Sequence, residues 1–233
     1  NEYRACDDLP YGAKRHDWFQ SGYWWIELGG DDPEQIRNTE RTRDELLKVV
    51  LGVWDHIKNH CAKVDASHYA LDWLEFLPGK RSSRRYVGAH ILTQNDIERE
   101  GRFDDLVAYG GWTMDDHFPA GFYHPRAGTI FHPAPSPFGI PYRSLYSTNI
   151  TNLFCAGRCH SATHAALSAT RVMATTSLMG QAVGTAAALA ARDGLTPRGV
   201  GEKRLRELQR TLQDDDCWLP WRVRPVAVAS RTA

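Results

Sequence analysis

The sequence has no excess of either charge: 28 lysines and arginines balance 28 aspartates and glutamates, so no global field draws the chain to nucleic acid or to an acidic membrane surface. It has no CxxC pair either. Cys6, Cys61, Cys155, Cys159 and Cys217 are odd in number and irregularly spaced, which excludes a disulfide framework and a zinc ribbon. Reduced thiols in a cytoplasmic protein are the expectation. A GxGxxG turn is also missing. The nearest match, Gly199-Val200-Gly201, continues Glu202-Lys203-Arg204 and follows Thr196-Pro197 rather than a strand. There is no internal repeat, no signal peptide and no initiator Met, so the chain is expected to begin inside a longer translation product or after processing.

Long hydrophobic runs are scarce. Val172 to Ala191 is uncharged over a length that could span a membrane, but Thr175, Thr176, Ser177, Gln181 and Thr185 interrupt it and large aliphatics are few. A buried helix of a soluble protein is the expectation. The Gly180-xxx-Gly184 spacing then predicts close backbone packing on that helix.

What is present organises the rest. "DWFQSGYWWIELGG" (17–30) is aromatic and β-prone and reads as a strand and turn. Behind Asp31-Asp32-Pro33, the apolar positions Leu46, Leu47, Val50, Leu51, Trp54 and Ile57 predict a helix from about 33 to 59, with His56 and His60 on a solvated face. "RYVGAHILT" is strand-like and a short helix starts at Gln94-Asn95-Asp96, while Arg81, Arg84 and Arg85 read as a solvated loop. From Phe118 to Pro141 dense proline and glycine predict loop and short extended pieces. "TNLFCAGR" reads as a buried strand, 170–191 as a helix closed near Gly194, and "GEKRLRELQRTLQ" as a last helix with Leu205, Leu208 and Leu212 on one face.

The chemistry concentrates in "AGRCHSATHAALSATRVMATTSLMGQAVGTAAALAA". Strand, Gly157-Arg158, a loop with two histidines and then a helix without early acids would leave backbone N–H groups and the positive helix end to face an anion or an electron-rich carbonyl. The plainer alternative is a tightly packed core helix. Cys155, Cys159, His160 and His164 form a compact soft-ligand set, but their spacing matches no zinc pattern and HSATH lacks the glutamate of HExxH, so no metal is expected there.

Together, "RSSRRYVGAHILTQNDI", "FDDLVAYGGWTMDDH" and the stretch from "IPYRSLYSTNITNLFCAGR" through "GQAVGTAAALA" resemble the C-terminal part of FAD-dependent oxidoreductases related to the succinate dehydrogenase and fumarate reductase flavoproteins. The resemblance runs from about Gly22 to Leu212 and is most specific in the 150s to 190s. It implies an α/β fold: the C-terminal part of a Rossmann-like FAD-binding domain with an α+β substrate-side region. The expected division is 1–140 substrate side, 141–200 cofactor domain and 201–233 terminal helix and tail.

By the same resemblance, Gly157 and Arg158 would lie beside the ribityl and pyrophosphate region of FAD. Val172, Met173 and Ala174 would present N–H groups to the N1 and O2 edge of the flavin, where reduction gathers negative charge. Related proteins often carry an acid where this chain has Arg158. His117, His160 and His164 are candidates to take a substrate proton while hydride moves, and Arg171 to hold an anionic or carbonyl oxygen. Because GxGxxG is missing, a second polypeptide, or another piece of a split flavoprotein, is expected to supply the dinucleotide-binding half. The partners expected are that polypeptide and a small-molecule substrate, with no nucleic acid and no membrane. The aromatics of "GYWWIE" and "GFYHPRAGTIFHP" suit a sugar ring or an aromatic scaffold. The competing expectation is a non-catalytic subunit with a flavoprotein-like shape that serves assembly or docking.

Overall fold

A computed structural model describes residues 2–10, 26–80, 84–126 and 128–224. The predicted strand over 17–30 therefore lies largely outside the described residues, as do Arg81 and the end of the tail. The chain divides into two compact units, one of residues 1–83 and 116–130 and the other of 84–115 and 131–233. This cut differs from a boundary near 140, because residues 84–115 fold with the C-terminal part.

In the first unit, α1 (Thr39–Asp55) starts six residues later than its hydrophobic pattern suggests. The cause is local: Asp32 accepts from the Glu34 N–H and the Asn38 side chain at 2.8 Å each, which holds 32–38 in turns. The buried face is Val49, Gly52, Val53 and, in the wider π turn that continues the helix (His56–His60), His56 and Ile57. Leu51, expected inside, is half exposed. His56, expected on a solvated face, is fully buried, because the π turn rotates it inward. Tyr3, Leu9, Ala66 and Phe122 complete this core. Lys58 ties the following loop by donating to the carbonyls of Ala66, Ser67 and Tyr69 at 2.8–2.9 Å.

The second unit is built on β1 (Leu106–Gly110), which pairs antiparallel with β4 (Phe138–Pro141) across a bulge between Leu106 and Ala108. Between them in sequence, β2 (Met114–His117) and β3 (Thr129–His132) form the other two-stranded sheet. The short extended pieces expected within 118–141 are β3 and β4. "RYVGAHILT" and "TNLFCAGR" form no strands. They contribute single bridges, Gly88 to Ser147, Leu92 to Ala162 and Tyr146 to Phe154. The chain mixes helix and strand, and among the described residues the sheets are two-stranded, with no parallel dinucleotide-binding sheet.

Helices cover β1. α2 (Gln94–Glu98) starts at the predicted place with a capping box between Thr93 and Asp96. The helix expected at 170–191 is α4 (Met173–Asp193), and the stretch before it, expected as loop, holds a further helix, α3 (His164–Thr170), bent from α4 by 95° at Arg171-Val172. Among the described residues no single helix is long and apolar enough to cross a membrane, and only this bent pair passes by length and composition together. α4 buries Thr175, Met179, Ala182, Ala186 and Leu189, one stripe at helical spacing, and ends on Gly194 in the left-handed region. Its glycines do not pack closely. A Cβ at Gly180 or Gly184 would meet nothing within 4 Å, and both lie on the exposed face. α5 (Pro197–Lys203) and α6 (Leu205–Asp214) split the last predicted helix, with Leu208 and Leu212 fully buried as the pattern demands. The Gln209 amide fastens α6 to β1 by donating to the carbonyls of Asp104 and Leu106 at 2.9 Å each.

Candidate active site

The site forms where the chain leaves the Tyr146 to Phe154 bridge and turns into α3 and α4. Gly157 takes φ +62°, a conformation glycine adopts without steric cost, and opens a single 3-10 turn (Gly157–Cys159). The turn packs against the first turn of α4; a Cβ on Gly157 would sit 3.8 Å from Thr176 Cβ.

His160 holds that turn from behind. Its ring is fully buried, and Nδ1 donates to the Gly157 carbonyl at 2.6 Å. The same carbonyl also accepts the His160 N–H at 3.2 Å. With Nδ1 protonated, Nε2 must accept, and Thr170 Oγ1 lies 3.1 Å away. The Thr170 hydroxyl is also 3.0 Å from the Ala166 carbonyl, which the helix already supplies with an N–H, so the proton belongs to His160. Burial first of all pulls the His160 pKa below the ordinary histidine range. The ring is therefore a neutral strut between turn and helix, which corrects the expectation that His160 faces substrate.

The other sequence candidates fall in different places. His164 is exposed at the first position of α3, whose N-cap is Thr163. Arg171 caps the C-terminus of α3 at the 95° corner, half buried, and its guanidinium donates to the Asp115 carbonyl at 3.1 Å and the Asp115 carboxylate at 3.3 Å. His117 belongs to the first unit, where its Nδ1 lies 2.5 Å from Glu27 Oε1. Arg158 is exposed on the 3-10 turn. Cys155 is buried, and burial pushes its thiol up, while Cys159 is exposed.

Val172 is the extended N-cap of α4 and makes no side-chain capping bond, and no acid occupies the first turn. Met173 is 86% exposed and Ala174 is exposed beside it. The side chains of Thr176 and Ser177 donate back to the Met173 carbonyl, at 2.8 and 2.9 Å, and leave the leading N–H groups uncovered. The start of a helix of six turns, flanked by Arg171 and by a glycine turn, concentrates positive potential at one spot. Such a place suits the electron-rich edge of a ring or an anion. The Gly199-Val200-Gly201 segment, by contrast, lies inside α5 and forms no phosphate turn.

Sequence reasoning missed Thr170 as the partner of His160, Asp115 as the partner of Arg171 and Glu27 as the partner of His117. All three stand inside stretches already singled out, and only their pairing needed three dimensions. A family model described as FAD dependent oxidoreductase matches residues 8–212. Comparison with curated proteins and with solved structures found no match.

Proposed function

This chain belongs to the FAD dependent oxidoreductase family, and we propose that it supplies the isoalloxazine end of an FAD site in an enzyme exchanging hydride with a small molecule. FAD is the family's cofactor. The kinship with succinate dehydrogenase and fumarate reductase flavoproteins, carried by the segments quoted above, is part of the proposal. The observation that carries it is the bare N-terminus of α4: no side-chain cap, no acid in the first turn, and exposed leading residues.

The residues present fit one end of the cofactor. Backbone N–H groups of Val172, Met173 and Ala174 would hold its N1 and O2 edge, and the Gly157 turn admits close approach because no Cβ stands there. Bound FAD supplies the hydride acceptor or donor, and a helix N-terminus favours the charge that reduction places at that edge. Arg171, two residues before α4, would hold an anionic or carbonyl substrate oxygen. Asp115 fixes the direction of its guanidinium. His164, exposed on α3, is the group of this unit that would take the substrate proton. His117 of the first unit, oriented by Glu27, is a separate candidate for that role.

The ADP half requires a strand, a glycine-rich turn and a helix, and these residues lack that turn. We assign it to a second polypeptide, making the enzyme a heteromer. An exposed small-residue face on α4, through Ser177, Gly180, Gly184 and Ala188, offers a surface on which another helix or strand can pack closely.

The test is an absorption spectrum and native mass spectrum of the protein purified from its own cells without denaturation. A flavin band, with a companion polypeptide carrying GxGxxG, is the expected result. A flavin-free preparation overturns the proposal and favours a non-catalytic docking subunit; flavin retained by this chain alone overturns the assignment of the partner.

A further inference from the structure

The first unit holds a cluster that the flavin chemistry leaves unused. Cys6, His56 and Cys61 bring two sulfurs and one imidazole nitrogen within 4.8 Å of one another. The three residues come from a short 3-10 turn near the N-terminus (Cys6–Asp8) and from the two ends of the π turn, where the Cys61 N–H donates to the His56 carbonyl at 2.8 Å. We propose that Cys6, His56 and Cys61 bind a thiophilic divalent cation, zinc in the first instance, which staples the N-terminal segment to the end of α1.

The geometry already approaches what such an ion requires. With Zn–S near 2.3 Å and Zn–N near 2.0–2.1 Å, a tetrahedral ion places sulfur and nitrogen ligands about 3.6 Å apart. Cys6 Sγ and His56 Nε2 are 3.7 Å apart. His56 is oriented for ligation: its Nδ1 donates to the Tyr3 carbonyl at 2.9 Å, which leaves the Nε2 lone pair turned toward Cys6. Full burial of the ring holds that orientation. At Cys61, the Lys63 backbone N–H is aimed at Sγ at 3.4 Å, a contact that favours the negative charge a metal-bound sulfur carries.

The charge balance is consistent. Two thiolates and a neutral imidazole neutralise a divalent cation, and the fourth position is left to solvent. Binding releases the two thiol protons, so affinity rises with pH. The two sulfurs stand as thiols and form no disulfide.

The probes are zinc and cobalt(II), added to the full-length protein under a phosphine reductant. One zinc per chain is expected by elemental analysis. Cobalt is expected to give thiolate charge-transfer absorption with the intense visible bands of a tetrahedral site. Cys6→Ser and Cys61→Ser, which keep size and lie at half-exposed positions, should each weaken binding more than about 100-fold. Cys159→Ser, on the exposed 3-10 turn, should leave it unchanged. His56→Ala removes a buried ring and tests the same point only where circular dichroism shows the fold intact. Absence of the cobalt spectrum with all thiols reduced, binding in either serine variant equal to that of the unsubstituted protein, or a Cys6–Cys61 disulfide found by non-reducing peptide mapping of protein purified without reductant would each overturn the proposal. Because the readouts are metal content and cobalt absorption, the result is independent of whether the flavin reading holds.

Discussion

His160 offers the sharpest check on how the turn at Gly157 is held. Replacing it with alanine removes the 2.6 Å bond to the Gly157 carbonyl and the 3.1 Å bond from Thr170, and empties a fully buried ring site. Each hydrogen bond is worth about 1 kcal/mol net. The Gly157 carbonyl keeps its backbone partner, so it is not stranded. Adding lost packing around the ring gives a total of about 2–4 kcal/mol. Thr170→Val strands the buried Nε2 instead, at a cost of about 1–3 kcal/mol. Because the two residues share a bond, the double variant should lose less than the sum. The pH dependence has a definite sign. His160 has its folded pKa depressed below the unfolded value near ~6.5, so its contribution is fully present above that value and is lost as pH falls through it toward the folded pKa. Urea unfolding followed by circular dichroism should therefore show the His160→Ala deficit larger at about pH 8 than at about pH 5. Additive variants with a pH-independent deficit would refute the strut.

Gly157→Ala should cost about 1–2 kcal/mol from its positive φ alone, since a Cβ has room there, and should lower flavin retention of the purified enzyme measured by absorbance. Gly139→Ala drives a methyl into the Gly101 carbonyl and to 2.6 Å from Leu106 Cδ1, so a loss of at least about 1–3 kcal/mol is expected in thermal or urea unfolding; an unchanged midpoint would mean that β4 and the 100–101 turn separate easily. Arg171→Ala should lower turnover roughly 10²-fold with flavin content kept, and Arg171→Lys should recover part of it; unchanged turnover removes Arg171 from the reaction.

Local signals proved legible where one short stretch carried the whole cause. The capping box Thr93 to Asp96 started α2 where "TQND" indicated, and Gly194 ended α4 in the left-handed conformation that glycine allows. Leu208 and Leu212 were placed inside by their spacing alone. The pattern misled where tertiary contacts overrode it. Asp32 gathered the residues before α1 into turns, and the stretch before α4 that reads as loop folds into α3 behind its Thr163 cap. Single bridges replaced the strands expected from "RYVGAHILT" and "TNLFCAGR", because their backbone partners come one residue at a time. The turn at Gly157 was legible from the glycine's place after a buried stretch, whereas the burial of His160 was not: a histidine in a loop looks the same in sequence whether it faces substrate or fills the core.

The sequence by itself determined which residue types meet at the α4 start, the absence of acid there and the missing glycine-rich turn, since each depends only on neighbours along the chain. The tertiary structure decided the rest. It set His160 behind the turn, paired Arg171 with Asp115 and His117 with Glu27, and brought Cys6 to His56 and Cys61. Arg171 and Asp115, His117 and Glu27, and Cys6 and His56 are far apart in sequence, and side-chain chemistry carries no record of distance. Only packing of the apolar faces fixes which polar groups are left close enough to react.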